Sequence, residues 1–181
     1  LRAAERLWPR VAEEHASFAG GREAGGALDL LGLTRRLFEL TGSVEYADSF
    51  ERVLLNEILS AVHPEATMAA PLEPLEDGFE GFWTATDPSG GFDAAHLAAC
   101  ARLNDGIYFH DATDLVVNLN VSSTLDWRER SLALTQTADV PLSPTVVFTI
   151  DAVPADALRI KLRKPWWLAG GERATLRVNG E

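Results

Sequence analysis

The sequence has a single cysteine, Cys100, among its 181 residues. One thiol excludes an internal disulfide, and it also excludes a metal site built on several thiolates. No apolar run approaches the roughly 18 residues that a membrane span requires, so we expect no membrane segment. The first residues lack the basic and apolar pattern of a secretory leader, and we favour a cytoplasmic location. Because the chain begins at Leu1 without a methionine, we expect that Leu1 is not the natural first residue.

Basic residues are missing from a long central stretch. No lysine or arginine lies between Arg52 and Arg102, and the net charge of the chain is −11 at pH 7. Such a surface repels phosphate backbones, so we expect no nucleic-acid partner. The stretch is interpreted either as a solvated acidic loop or as a site for cations or neutral polyols. Its acidic residues are Glu57, Glu65, Glu73, Glu76, Asp77, Glu80, Asp87 and Asp93.

Several well-defined catalytic and nucleotide-binding motifs are absent. There is no nucleophile elbow with serine, aspartate and histidine in order, and no zinc-finger spacing. The glycine-rich segment GGREAGG follows a helical pattern rather than a strand. It therefore does not indicate a dinucleotide-binding loop.

Helical periodicity fills the first part of the chain. The pattern predicts helices over about residues 1–18, 27–40, 44–63 and 93–103, with Ser43 as the N-cap of the third. Residues 42–43 allow only a tight turn, so we expect antiparallel neighbours. The predicted buried stripes are Ala4, Trp8, Val11, His15 and Phe18; Leu30, Leu33, Leu37 and Leu40; and Tyr46, Phe50, Val53, Leu54 and Ile58.

This arrangement brings several polar positions to one end of the helices. The end of the first helix, the start of the second and the end of the third meet there, with the long loop 64–91. Long loops on a rigid scaffold commonly carry function. The sequence therefore predicts a site at this end, near His15, Glu23, His63 and Phe92.

After about residue 106 the apolar period becomes two. Strands are predicted near residues 107–110 and 115–121, and in LALTQTADV, TVVFTIDAV, ALRIKLRKPWW and ATLRVNG. In one of them, Leu158, Ile160 and Leu162 alternate with basic residues, which is typical of a half-buried strand. We therefore predict a helical domain over residues 1–105 and an incomplete antiparallel β-sandwich over residues 106–181.

Specific segments carry a family resemblance. LTRRLFELTGSVEYADSFERVLLNEIL, HPE, IYFHDATDLVVNLNVSSTLDW and LRIKLRKPWW resemble glycoside hydrolase family 127, the β-L-arabinofuranosidase type. The resemblance implies an (α/α)6 toroid followed by β-sandwich domains. This chain would correspond to the last part of the toroid and the start of the first sandwich. It also implies L-arabinofuranoside-type glycans as the substrate class.

The resemblance further implies a zinc-held cysteine nucleophile, a glutamate and further cysteines as zinc ligands, and a second glutamate as acid/base. The motif Glu-x-Cys falls on Glu23-Ala24-Gly25, where no cysteine is present. The paired cysteines fall on positions 91–92 or 84–85, which carry no thiol, and the acid/base loop is missing before Arg22. We therefore expect no catalytic residue, no retained zinc and a pseudoenzyme that is inactive alone.

Three remaining residues are predicted to contact a pentose or oligosaccharide: Glu23, His63 and Trp83. The structural alternatives are a helix cap for Glu23, a dipole partner for His63 and a loop anchor for Trp83. His96 and Cys100, four residues apart, form either a replacement metal site with Glu23 or ordinary core contacts.

Two other functional interpretations stay open. The chain is alternatively a non-catalytic carbohydrate-binding or interaction module. It is otherwise an incomplete toroid whose apolar helix faces require self-association or the missing N-terminal part of the fold.

Overall fold

The computed structural model describes residues 1–17, 24–59, 102–140, 142–154, 156–170 and 174–181. It divides the chain into two compact units, Leu1–Leu103 and Asn104–Glu181. Helices form most of the described part of the first unit, and the second contains two three-stranded sheets. The assignment of the first unit to a toroid and of the second to a sandwich stays a prediction.

Helix α1 spans Arg2–Ser17 and contains Pro9. Its buried side chain is Trp8, which is 2% exposed and meets the Tyr46 ring edge-on at 5.3 Å between centroids. The predicted stripe is wrong at Val11, which is 37% exposed, because the contact of this helix centres on Trp8. The side chain of His15 and all of Phe18 lie outside the described residues.

Helix α2 spans Ala24–Thr41 and thus begins three residues before its predicted start. The predicted stripe is correct at Leu30 and Leu37 but wrong at Leu40, which is 51% exposed, and Leu33 is only half-buried. At about 100° per residue the buried side chains share one face centred near Thr34, and Leu40 lies about 120° around the helix from it. The side chains that are buried on this face belong to Ala27, Leu30, Leu31, Thr34, Leu37 and Phe38.

A two-residue turn joins α2 to α3, which spans Val44–Val53. Gly42 has φ +67 and donates its N–H to the Phe38 carbonyl, as expected for a residue that ends a helix in the left-handed region. Ser43 holds the N-cap position, but its side chain makes no capping hydrogen bond. The N–H of Ser43 donates instead to Thr41 Oγ1 at 3.1 Å, so Thr41 stabilises this turn.

The third predicted stripe is confirmed. All five of its side chains are at most 7% exposed, from Tyr46 to Ile58. From Leu54–Leu59 the helix continues in π geometry, which the sequence pattern does not reveal. The predicted end of this helix near residue 63 lies outside the described residues, as does most of the fourth predicted helix. A short 3₁₀ helix, Leu103–Gly106, precedes the first strand.

The second unit contains six strands in two sheets. They are β1 (Tyr108–His110), β2 (Asp114–Val117), β3 (Ser123–Trp127), β4 (Leu132–Ala138), β5 (Val146–Ala152) and β6 (Arg159–Leu162). One sheet has the order β1-β2-β6 and the other β3-β4-β5. The expectation of purely antiparallel pairing is wrong for β2 and β6, which are parallel with Leu115 opposite Ile160. The chain crosses to the other sheet and back between these strands, and such a crossover permits parallel pairing.

Three further sequence expectations need correction here. Strand β3 is absent from the prediction, although it pairs with β4 over its whole length. The predicted strand at residues 174–180 forms a turn in which Val178 and Glu181 exchange backbone hydrogen bonds. The alternation in β6 ends early, because Leu162 is 41% exposed while Arg163 is buried and donates from Nε to the Asn118 carbonyl at 2.7 Å.

The two sheets share a hydrophobic core. Leu115 comes from the first sheet, and Leu132 and Leu134 come from the second; each is 1% exposed. Burial of three leucines contributes about 2 kcal/mol each. The partly buried side chains packed around them are Tyr108, Leu125, Trp127, Phe148, Leu158 and Ile160.

Candidate functional site

The site that the sequence predicts falls outside the described residues. Glu23, His63 and Trp83 lie there, and so do His96 and Cys100. The structure therefore does not test whether these side chains come together, and their roles stay predictions. The structure does describe the first turn of α2 and several buried polar side chains.

The first turn of α2 fixes the backbone position of Gly25. The helix begins at Ala24, so Gly25 is its second residue. The resemblance expects a zinc-binding cysteine here, and glycine has no side-chain donor atom. The resemblance also expects further cysteines as zinc ligands, whereas Cys100 is the one cysteine of the sequence.

Helices α2 and α3 pack against each other through their apolar faces, which include one buried hydroxyl. Thr34 is 0% exposed, and its Oγ1 lies 2.8 Å from the Leu30 carbonyl and 2.9 Å from the Leu31 carbonyl. The hydroxyl is thus used by its own helix. This arrangement makes Thr34 part of the scaffold rather than a ligand-binding group.

A buried carboxylate in α3 is the polar group that the sequence analysis misses. Glu51 is 4% exposed, and its Oε2 atom is buried. It lies four residues after Ala47 and three before Leu54, so its position on the buried face could have been read from the helical period. Burial of a carboxylate is costly and is retained where structure or function requires it. We therefore count Glu51 among the candidate functional residues of the helical unit.

A polar contact also links α1 to α3. Trp8 Nε1 donates to Glu45 Oε1 at 3.4 Å beside the edge-on contact of Trp8 with Tyr46. Burial raises the pKa of the Tyr46 phenol above its ordinary value of 10.0, and the carboxylates of Glu5 and Glu45 raise it further. The phenol therefore stays protonated near neutral pH and is not a general base.

The charged cluster of the second unit is built around Asp114. Its side chain is 3% exposed, Arg159 Nε lies 2.6 Å from Oδ1, and Lys161 Nζ contacts Oδ2. Hydrogen bonds from Lys161 and then Arg159 lower the pKa of Asp114 from 3.8 to about 2. Because Arg159 and Lys161 belong to β6, the cluster joins β2 to β6. The cluster is therefore explained by its structural role, which is to hold the parallel strands β2 and β6 together.

An aspartate, Asp111, stabilises the turn before β2. Asp111 Oδ1 accepts the backbone N–H groups of Thr113 and Asp114, each at 2.8 Å. These bonds lower the pKa of Asp111 below its ordinary value. An aspartate that satisfies the backbone two and three residues ahead is typical of a turn, so we assign Asp111 to the fold.

Among the described residues, no group of three or more histidine, cysteine, aspartate or glutamate side chains is arranged to hold a metal ion. None of the helices described there is both long and apolar enough to cross a membrane.

Comparison with protein families gives two matches in sequence order. Residues 8–89 match the model of the β-L-arabinofuranosidase GH127 catalytic domain. Residues 114–181 match the model of the β-L-arabinofuranosidase GH127 middle domain. The comparison with curated proteins gives no match.

Three solved structures are similar to this chain in fold. A GH127 β-L-arabinofuranosidase from Geobacillus stearothermophilus T6 is 26% identical, with a TM-score of 0.61 over 82% of this chain. A structure described as a glycoside hydrolase is 21% identical with a TM-score of 0.66 over 81% of this chain. A GH127 β-arabinofuranosidase, BT3674, is 22% identical with a TM-score of 0.65 over 83% of this chain. The chain spans 26%, 26% and 24% of these three structures, respectively.

Proposed function

Because the chain belongs to glycoside hydrolase family 127, we propose that it derives from enzymes acting on L-arabinofuranoside-type glycans but does not cleave them by a cysteine–zinc mechanism. In this proposal residues 1–105 are part of an (α/α)6 toroid, and residues 106–181 are part of a β-sandwich. The observation that carries it is Gly25, in the first turn of α2 where the family motif calls for a cysteine.

The chemical argument concerns the nucleophile. A thiolate attacks the anomeric carbon only if it is deprotonated and oriented, which is the service that a bound zinc ion supplies in this chemistry. Neither Gly25 nor positions 84–85 or 91–92 supply a thiol, and Cys100 does not occupy a family cysteine position. Glu23 alone remains from the motif, so we assign it to a binding or capping role together with His63 and Trp83.

Elemental analysis and a hydrolysis assay test this proposal together. Purified chain should bind less than stoichiometric zinc and should leave an aryl β-L-arabinofuranoside uncleaved. Cys100→Ser is the matched control, since it removes the one thiol and should change neither result. Stoichiometric zinc with turnover that Cys100→Ser abolishes would overturn the proposal.

A second candidate function is non-catalytic carbohydrate binding. The sequence of residues 64–91 favours it, because its aromatic residues, among them Phe82 and Trp83, are accompanied by carboxylates and by no lysine or arginine. Aromatic faces contact the C–H groups of sugars, and carboxylates accept sugar hydroxyls. In this candidate, Trp83→Ala should weaken the binding of a pentose or oligosaccharide at least fivefold, whereas Trp166→Ala should leave it unchanged. Equal binding by both variants would remove its support.

We also propose that the helical unit acts with a partner, which is either a second copy or the remaining part of a toroid. Leu7, Leu40 and Leu55 are exposed by 57%, 51% and 43%, respectively. Exposed apolar groups of this size favour association. Light scattering on the purified chain should give more than a monomer mass, and a monodisperse monomer would contradict the proposal.

We place this function in the cytoplasm, since nothing in a chain with one cysteine requires an oxidising compartment.

A further inference from the structure

A cleft of about 530 Å³ lies between strands β1 and β3 of the second unit. Among the strands that the structure describes, each is an outer strand of its sheet, in the orders β1-β2-β6 and β3-β4-β5. Two contacts connect the strands: Tyr108 Oη lies 2.9 Å from Ser123 Oγ, and the rings of His110 and Trp127 lie 4.3 Å apart. A cleft of this volume is in the range that holds small ligands.

The direction of the hydrogen bonds fixes what Tyr108 offers to a ligand. Ser123 Oγ donates its one hydrogen to the Val121 carbonyl at 2.9 Å. In the contact with Tyr108, Ser123 must therefore accept, and the tyrosine O–H donates. Burial raises the pKa of Tyr108, which keeps this proton in place. The remaining lone pair of Tyr108 Oη is an acceptor for a ligand hydroxyl.

The rest of the lining combines apolar side chains with neutral polar ones, among them Asn104 and Thr124, and carries no unbalanced charge. Ile107 and Leu115, 7% and 1% exposed, and the half-buried Leu125 contribute apolar surface. Asp126 is the one lining residue with a carboxylate, and its Oδ2 accepts from Arg128 Nε at 2.9 Å. A lining with apolar, aromatic and hydroxyl groups and no unbalanced charge favours a neutral ligand over an ionic one.

We propose that this cleft is a binding site for a neutral saccharide, namely a pentose unit or a short oligosaccharide. A sugar hydroxyl donates to Tyr108 Oη, and sugar C–H groups pack on the wall formed by His110 and Trp127. The site lies in the β-unit and goes beyond the proposed function. The choice of arabinose as the pentose rests on the substrate class proposed there.

Titration followed by NMR tests the site directly. The probes are L-arabinose and a linear arabinotriose, added to the full 181-residue chain labelled with ¹⁵N. Five tryptophans give five indole N–H signals, and Trp127→Phe identifies that of Trp127 by its loss. We expect the Trp127 signal to shift in a saturable manner, while the signal of Trp166, which is 44% exposed and does not line the cleft, stays in place.

Tyr108→Phe removes the acceptor and keeps the ring. One hydrogen bond of this kind corresponds to a fivefold to tenfold weaker binding. Tyr46→Phe, a buried tyrosine of α3, is the matched control and should leave the affinity unchanged. The unchanged amide spectrum of Tyr108→Phe away from β1 and β3 verifies its fold.

The result for Trp83→Ala separates this site from the proposed function. Binding that is weakened by Tyr108→Phe and insensitive to Trp83→Ala supports the cleft and leaves the role of Trp83 without support. Binding that is sensitive to Trp83→Ala alone, with no shift of the Trp127 signal, overturns the cleft and keeps the proposed role of Trp83. The absence of saturable binding by either probe overturns the cleft as well.

Discussion

The helical unit and the β-unit use buried polar side chains in opposite ways. In α2, the hydroxyl of the fully buried Thr34 bonds to carbonyls of its own helix three and four residues away. In the β-unit, the equally buried Gln136 donates from Nε2 to the carbonyls of Leu119 and Val121, 2.9 Å and 2.7 Å away. Helices satisfy their backbone locally, whereas sheets with irregular connections need side chains from distant positions.

Two more side chains of the β-unit follow the same pattern. Asn118 Nδ2 donates to the Gly106 carbonyl at 2.9 Å, and Arg163 Nε donates to the Asn118 carbonyl at 2.7 Å. Both accepting carbonyls belong to residues outside the six strands. The stability of this unit therefore depends on specific polar residues in addition to its leucine core.

The largest expected effect treats the two units alike. Leu37→Ala in α2 and Leu134→Ala in β4 each remove a side chain that is at most 2% exposed. Each should lower the free energy of unfolding by about 3 kcal/mol, because a cavity remains. Urea unfolding followed by circular dichroism measures it. Leu142→Ala, at an 85% exposed position, is the control, and a comparable loss there would contradict the described core.

The second prediction separates the units. Gln136→Leu keeps the approximate side-chain volume but leaves the Leu119 carbonyl without this donor, so it should cost about 2 kcal/mol. Thr34→Val removes a hydroxyl whose partner carbonyls belong to its own helix, and it should change stability by less than about 0.5 kcal/mol. The same unfolding experiment compares them. Equal losses would mean that the contrast between the units is wrong.

The third prediction concerns pH and the β2–β6 pair. The pKa of Asp114 is lowered from 3.8 to about 2 in the folded state, so its stabilising contribution is complete above pH 3.8 and is lost as pH falls toward 2. Asp114→Asn should remove this part of the acid dependence of the urea midpoint. Asp126→Asn, whose carboxylate is 63% exposed, is the control and should retain the dependence. An unchanged acid profile in Asp114→Asn would refute the role of the cluster.

The smallest expected effect lies at the α2–α3 turn. Thr41 Oγ1 donates to the Leu37 carbonyl at 2.7 Å and accepts from the N–H of Ser43 at 3.1 Å. Thr41→Val should therefore cost about 1 kcal/mol. Ser43→Ala should cost less than about 0.5 kcal/mol, since no capping hydrogen bond is lost. Thermal unfolding compares the two losses. A larger loss in Ser43→Ala than in Thr41→Val would mean that the Ser43 side chain caps α3.

The helical period predicts the buried face of α3 fully and that of α2 in part. The errors at Val11 and Leu40 arise because a period defines a face but not which neighbour covers it. The period of two predicts most strand positions but not β3 or the parallel pairing of β2 with β6, since pairing depends on residues far apart in sequence. A stripe defined by apolar residues alone does not reveal Glu51, an acidic residue on the same buried face.

The family resemblance rests on short sequence segments. Two domain models and a solved GH127 structure also match this chain. The predicted site, in contrast, is not tested by the structure. Glu23, His63 and Trp83 lie outside the described residues, so the functional proposal depends on Gly25, where the family motif expects the thiol of a cysteine.

Hydrolysis of an aryl β-L-arabinofuranoside by the purified chain, with zinc added and then chelated, is the most direct measurement of the central claim. The account predicts a rate equal to that of buffer in both conditions. Turnover that appears with zinc and disappears with the chelator would contradict it.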